Sequence, residues 1–222
     1  MSNILPYLPH LLDGLVVTLE VALGSFVIGL IVAVLAVFAL EFGNAPIRYA
    51  VKTYVTVIRG LPELLIIFLV FYGGTVALSG LFGTYIEVDA LTAGICALSF
   101  VSGAYLTEIL RGALHTIPVG QMEAAKSLGL RQGIAFRKVI LPQMFSYALP
   151  GLGNQWLVIL KESALVSIVG LEELMRKGVV AAGATHSPMT FYLIVAALYI
   201  AITSVSTIIM EFGNRRFTVG GR

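Results

Sequence analysis

The sequence predicts an all-α integral membrane protein, and three observations carry that prediction. Apolar residues fill 58% of the 222 positions, and the mean hydropathy is +0.96. Charged residues fill only 12%, about half the usual share of a soluble domain. The apolar residues also fall in runs of roughly 20, the length a helix needs to cross a hydrocarbon core. Lipid offers no partner to a backbone N–H or C=O, so such runs satisfy themselves as helices.

Five runs read as spans of a single transmembrane domain covering residues 1–222. The first, residues 11–40, carries only Asp13 and Glu20 near its start. The second, residues 54–78, holds Arg59 and Glu63 in its first turns. Four residues apart, these two are expected to share a helix face and to be able to pair. The third, residues 90–110, ends at Glu108, with Arg111 three residues on as a partner. The fourth, residues 145–169, contains Pro150, Gly151 and Gly153, which predict an irregular start, and then Lys161 and Glu162. The fifth covers residues 191–210.

Lys and Arg placement sets the orientation. Residues 41–53 carry Arg48 and Lys52; residues 111–143 carry Arg111, Lys126, Arg131, Arg137 and Lys138; the tail carries Arg215, Arg216 and Arg222. The alternate segments carry none before the first span and none in residues 79–89; only Arg176 and Lys177, beside Glu172 and Glu173, run against the pattern. The N-terminus is therefore expected outside and the C-terminus in the cytoplasm. Residues 172–177 read as an amphipathic outer helix with solvated charges, or as a contact for an outside partner. No Lys or Arg precedes the first apolar run, so that run is expected to stay as a helix rather than be cleaved as a signal peptide.

Several chemistries find no support. Cys96 is the single cysteine, and His10, His115 and His186 have no metal-ligand spacing. No nucleophile constellation or cofactor loop points to an enzyme, and no nucleic-acid partner is expected.

Ionisable groups at bilayer depth cost about 3 kcal/mol each on insertion scales, so they line a cavity or pair. On that ground Arg59, Glu63, Glu108, Lys161 and Glu162, with Asn154 and Ser163 nearby, are candidates for a polar path. Lys161 and Glu162 point about 100° apart on a helix and cannot simply neutralise each other. Structural ion pairs remain the other reading for Arg59, Glu63 and Glu108.

The longest polar excursion is the loop of residues 111–143. Pro118 supplies a helix start, Glu123-Ala124-Ala125-Lys126-Ser127-Leu128 is helix-forming, and Gly129 sits where a left-handed cap would close it. Leu128, Leu130, Ile134 and Phe136 offer apolar contacts, and Val139-Ile140-Leu141-Pro142 returns to the bilayer. By pattern alone this short helix is either a connector resting on the membrane or a docking helix for a cytoplasmic partner.

Glu123-Ala124-Ala125, then Gly129, then Leu141-Pro142, resembles the EAA loop of binding-protein-dependent ABC importer permeases. The family pattern often has isoleucine where this chain has Val139. Arg59-Gly60-Leu61-Pro62-Glu63-Leu64, residues 104–112 and Leu160-Lys161-Glu162-Ser163-Ala164-Leu165-Val166-Ser167 resemble segments of the polar amino acid branch, with Glu162 where Asp is commoner. The resemblance covers nearly the whole chain and is nearest to permeases for histidine, lysine, arginine, ornithine and opines.

The resemblance implies a multi-pass subunit of a bacterial inner membrane, in contact with lipid, that forms half of a translocation path for polar amino acids, with cationic ones among the candidates. It implies a second permease subunit, identical or homologous, an ATPase dimer and an extracytoplasmic substrate-binding protein. Glu123, Ala124, Ala125, Leu128 and Gly129 would couple to the ATPase. The chain has no GxxxxGK[ST] phosphate loop, so ATP and Mg are expected on the partner and no cofactor on this chain. A secondary transporter or channel subunit is the alternative, but no repeated halves are apparent in the sequence. A non-transporting membrane assembly factor would leave the loop and the buried charges without a purpose.

Overall fold

The structure, a computed structural model, describes the backbone of residues 5–217 and the side chains of residues 5–213. Arg215, Arg216 and Arg222, counted above in the positive tail, lie outside the described side chains.

A 3-10 turn at Leu5–Tyr7 leads into α1 (Leu8–Phe42), and α2 (Ala45–Arg59) follows after a two-residue link. Asn44 caps α2 by accepting from Ile47 N at 3.1 Å. Next come α3 (Glu63–Phe68), a π-helical turn at Leu69–Gly73 and α4 (Gly74–Phe82). Asp89 then caps α5 (Ala90–Thr116), accepting from Thr92 N at 3.0 Å. The loop holds α6 (Val119–Ser127), α7 (Gln132–Ala135) and a π-helical turn at Phe136–Ile140. The rest is α8 (Leu141–Glu162), a 3-10 segment at Ser163–Val169, α9 (Leu174–Thr185) and α10 (Pro188–Phe217). The described elements are all helical, as expected.

Among the described residues four helical stretches are long and apolar enough to cross a membrane: Leu5–Phe42, Glu63–Phe82, Ala90–Thr116 and Pro188–Gly213. The second begins nine residues later than the run starting at Tyr54 suggested. Pro62 has no N–H to donate back to the helix and sits extended at φ −61°, ψ 135°. Helix α2 closes instead through Gly60 N to Val57 O (3.1 Å) and Leu61 N to Ile58 O (3.3 Å).

The fourth expected span, α8, is not among the four. Asn154, Gln155, Lys161 and Glu162 dilute its apolar residues. Its start is not irregular either: α8 runs unbroken through Pro150, and the irregular part is its far end, where the 3-10 segment takes over at Ser163. The glycines serve close packing instead. A Cβ on Gly151 would lie 2.7 Å from Ile109 Cγ2 of α5, and one on Gly153 would lie 3.0 Å from Met210 Sδ of α10.

The centre of the molecule is the pair α1 and α5, which run side by side in the same direction. In lipid, helices associate by packing rather than by expelling water, and small residues let backbones approach. A Cβ on Gly29 would collide with Ser102 Oγ, and one on Gly103 would lie 2.9 Å from Val32 Cγ1. Ser102 Oγ donates to Ser25 O at 3.2 Å, tying the pair near its middle. Val21 of α1, Ala97, Leu98 and Val101 of α5, Ile66 and Ile67 of α3 and Val166 of the 3-10 segment form the main core.

Candidate functional site

The first group of candidates forms where two helices are interrupted. The α2–α3 break at Gly60–Pro62 leaves Glu63 in the first turn of α3, and the α8 break at Ser163 leaves Lys161 in its last turn. Each charge thus complements the partial charge of its own helix end. Glu63 and Lys161 both act electrostatically on Glu162, so the structure gathers the three at one place. Asn154 is exposed, two turns before the exposed Lys161 on the same face of α8. Gln155, one position on, is buried, and its Nε2 has no hydrogen-bond partner among the described residues.

Ser163 is drawn out of that group. It is fully buried, donates to Leu160 O at 2.8 Å and interacts with Tyr199 of α10. Its hydroxyl is already used by the fold.

Arg59 does not pair with Glu63 as their spacing suggested, because the helix that would have aligned them stops between them. Arg59 Nη1 instead lies 3.5 Å from Glu108 Oε2 on α5, and Arg111 Nη1 lies 4.0 Å from Glu108 Oε1. The Arg59 guanidinium also sits 5.5 Å from the centre of the Tyr105 ring. All three charged side chains remain about two-fifths exposed, so this is an open ion-pair cluster.

The loop contains the helix that the sequence predicted. In α6, Gly129 N donates to Lys126 O (2.9 Å) and Leu130 N to Ala125 O (3.1 Å), with Gly129 at φ +80°. These two bonds and the left-handed residue make a Schellman cap. Ala125 faces inward and is buried, while Glu123, Ala124 and Gly129 are exposed. The expectation that Leu128 and Ile134 pack within the loop is corrected: Leu128 is 82% exposed and Ile134 43%. Phe136 does pack. With Met122, Phe38, Leu110 and Leu114 it lines an apolar cavity of about 460 Å³ between α6 and the neighbouring ends of α1 and α5.

One functional-looking group escaped sequence reading. Glu173, expected among solvated charges, is fully buried. Its carboxylate accepts from Met175 N and Arg176 N at 2.8 Å each, from Thr18 Oγ1 of α1 at 3.2 Å and from Tyr199 Oη of α10 at 3.1 Å. Burial still pushes its carboxyl above the ordinary range, against those hydrogen bonds. The sequence signal was present but ambiguous: a Glu directly before a helix is an N-cap as readily as a surface charge. Its neighbour Glu172 is exposed, and a hydrogen bond from Lys177 holds its carboxyl below the ordinary range.

Residues 25–219 match the family described as "Binding-protein-dependent transport system inner membrane component". The chain belongs to that family. The permease is 38% identical over 214 residues to the histidine/lysine/arginine/ornithine transport system permease protein HisQ of Escherichia coli (strain K12), covering 95% of this chain and 94% of HisQ. It is 43% identical over 203 residues to the nopaline transport system permease protein NocQ of Agrobacterium fabrum, covering 89% and 86%. Among solved structures it superposes on a chain of "an amino acid ABC transporter with histidines" with a TM-score of 0.87 at 33% identity, covering 97% of each chain. The MetNI methionine ABC transporter in an inward-facing conformation shares the fold, with a TM-score of 0.72 at 22% identity and 95% of each chain covered. The EAA-type loop, from Glu123 to Pro142, falls inside the matched region of the family.

Proposed function

We propose that the permease forms half of the translocation path of an ATP-driven importer of polar amino acids, with cationic ones among the candidates, in a bacterial inner membrane. A second permease subunit, identical or homologous, completes the path. A separate ATPase dimer supplies the energy, and an extracytoplasmic binding protein delivers substrate. The N-terminus lies outside, α8 makes the fifth crossing inside the assembly, and α6 lies in the cytoplasm.

The observation that carries the coupling half of this reading is the construction of α6. A nine-residue helix is closed by its own Schellman cap, turns Ala125 inward and leaves Leu128 without apolar cover. A connector resting on its own chain would bury that leucine. A helix that seats in a groove of another protein presents it, as a connector lying on lipid would, and the place of the EAA-type loop inside the matched family region favours the groove. Glu123, Ala124, Leu128 and Gly129 then face the ATPase, and Ala125 fixes the helix to the permease.

The path half rests on the meeting of two interrupted helices. Interrupted helices at membrane depth mark substrate sites in many transporters, because helix ends present unsatisfied backbone groups. Glu63 and Glu162 supply negative charge for a cationic side chain or an α-ammonium group, and Lys161 with the Asn154 amide supplies partners for an α-carboxylate. Arg59 and Glu108 lie at the cytoplasmic end of that route and hold α2 to α5. The permeases to which the chain is similar are named for histidine, lysine, arginine, ornithine and opines, which fits this charge pattern.

The test is ATPase activity of the assembled importer in proteoliposomes, purified through a tag on the permease, with binding protein loaded by single amino acids. A co-purifying ATPase stimulated by one loaded binding protein is the expected result and names the substrate. Absence of any ATPase from a folded permease in mild detergent would overturn the reading.

A further inference from the structure

Helix α2 carries Arg48, Lys52 and Arg59 and no acidic residue. Its surface also exposes Ile47, Tyr49 and Val57. A cationic amphipathic helix with exposed aliphatic and aromatic side chains suits the boundary between lipid headgroups and acyl chains. Between α2 and the end of α5 lies a cavity of about 260 Å³, lined by Leu40, Lys52, Val55, Thr56, Arg59, Glu108 and Arg111.

The charge of this cavity does not close. Three cations, Lys52, Arg59 and Arg111, surround one carboxylate, Glu108, which already meets both arginines. Arg111 Nε is buried and has no hydrogen-bond partner among the described residues. Lys52 is exposed and enters no salt bridge among the described residues. The Thr56 hydroxyl offers a further donor at the rim. A site with surplus guanidinium and ammonium donors and an unsatisfied buried N–H is suited to an oxyanion with several acceptor oxygens.

We propose that this cavity holds the phosphate of an anionic membrane lipid at the cytoplasmic face of the permease. Lys52 and Arg111 contact the phosphate, Thr56 donates to it, and Arg59 is shared between it and Glu108. The exposed Ile47, Tyr49 and Val57 lie along the acyl chains. Phosphate chemistry could also come from a free ion in the cytoplasm. The lipid source is favoured because the same helix that supplies two of the cations also presents apolar side chains. Only a ligand with an apolar part uses both.

The experiment uses the whole importer in nanodiscs of phosphatidylcholine with and without phosphatidylglycerol, and counts retained lipid by native mass spectrometry after delipidation. The wild type is expected to retain phosphatidylglycerol in preference to phosphatidylcholine. Lys52→Gln and Arg111→Gln should each weaken that retention roughly tenfold, the effect of losing one charge-assisted hydrogen bond. Lys52→Arg, which keeps the charge, should retain it. Unchanged retention in both glutamine variants overturns the proposal. Displacement of phosphatidylglycerol by inorganic phosphate alone also overturns it and makes the cavity a free-anion site. Measuring stimulated ATPase on the same discs separates this inference from the importer reading: selective retention without stimulation supports the lipid site and counts against the importer, and stimulation without selective retention does the opposite.

Discussion

The two ends of the molecule handle polar groups in opposite ways. At the end formed by α9 and the neighbouring parts of α1 and α10, one carboxylate, Glu173, is fully buried and takes a hydrogen bond from each of four donors on three helices. Leu11, Leu174, Phe191 and Val195 close over the region as a continuous apolar cluster. Gly14 brings α1 so near α9 that an added Cβ would lie 3.0 Å from Leu174 Cα. At the loop end, Arg59, Glu108 and Arg111 are part exposed, Arg111 Nε has no partner among the described residues, and Leu128 stands in the open. The first end is finished within the chain. The second has the chemistry of a surface awaiting partners, which is where an ATPase and lipid headgroups would supply them.

The largest expected effect breaks the finished end. Glu173→Ala removes the acceptor from four donors: the Thr18 hydroxyl keeps Gly14 O at 3.0 Å, while the Tyr199 hydroxyl and two helix N–H groups must find others. The expected loss is about 2–4 kcal/mol, since a buried donor left unsatisfied costs about 1–3 kcal/mol and part of the region can relax. Thermal unfolding of the purified permease in detergent measures it. A loss as small as that from an exposed ion pair would show that this end is not the rigid one.

Gly129→Val is the matching change at the unfinished end. At φ +80° a β-branched residue is strained by about 1–2 kcal/mol even with open space around it. The cap of α6 should open and the global unfolding temperature should barely move, while ATPase stimulation by loaded binding protein falls about five- to thirtyfold, the range that this strain implies. Equal losses of stability and stimulation would mean that α6 is part of the folded core and not a docking element.

These two sites also show how far sequence could be read. The α6 helix, its Pro118 start and its Gly129 stop were legible because capping chemistry is local: a glycine after a helix-forming run has one common use. Helices α1, α5 and α10 were legible because a long apolar run in lipid has only helical solutions. The Arg59–Glu63 pair failed because spacing assumes a continuous helix, and Pro62 removes the hydrogen bond that continuity requires. Pro150 misled in the other direction. A proline inside a helix can be held by neighbours, and Gly151 and Gly153 pack α8 tightly against Ile109 and Met210 on both sides of it. The burial of Glu173 was illegible, though its place before a helix was not, because its other partners, Thr18 and Tyr199, are 155 and 26 residues away. No local pattern encodes such a meeting.

A pH titration sharpens the comparison with a smaller effect. Burial raises the Glu173 pKa above the ordinary carboxylate value. The folded state therefore holds this proton at pH values where the unfolded chain has released it. The resulting stabilisation is fully present below the ordinary carboxylate value and is lost as pH rises through the raised folded value. Unfolding temperature measured across that window should fall with rising pH in the wild type, and Glu173→Gln should flatten this component. A slope unchanged by the substitution would assign the dependence to another group.

The smallest effect is expected from Glu108→Gln. Glu108 meets two arginines, so a drawing of the structure gives it prominence, yet each partner is about two-fifths exposed. Water and salt already screen such pairs, and exposed ion pairs contribute about 0–1 kcal/mol. Removing the charge should therefore shift the unfolding temperature little, much less than Glu173→Ala. It should, however, leave Arg59 and Arg111 beside Lys52 without their counter-charge, which raises the attraction of that cavity for an anion. Tighter retention of phosphatidylglycerol with nearly unchanged stability is the expected pair of results. A large destabilisation would mean that the cluster is a structural clamp like Glu173, and the contrast between the two ends would fail at the point where it is most exposed.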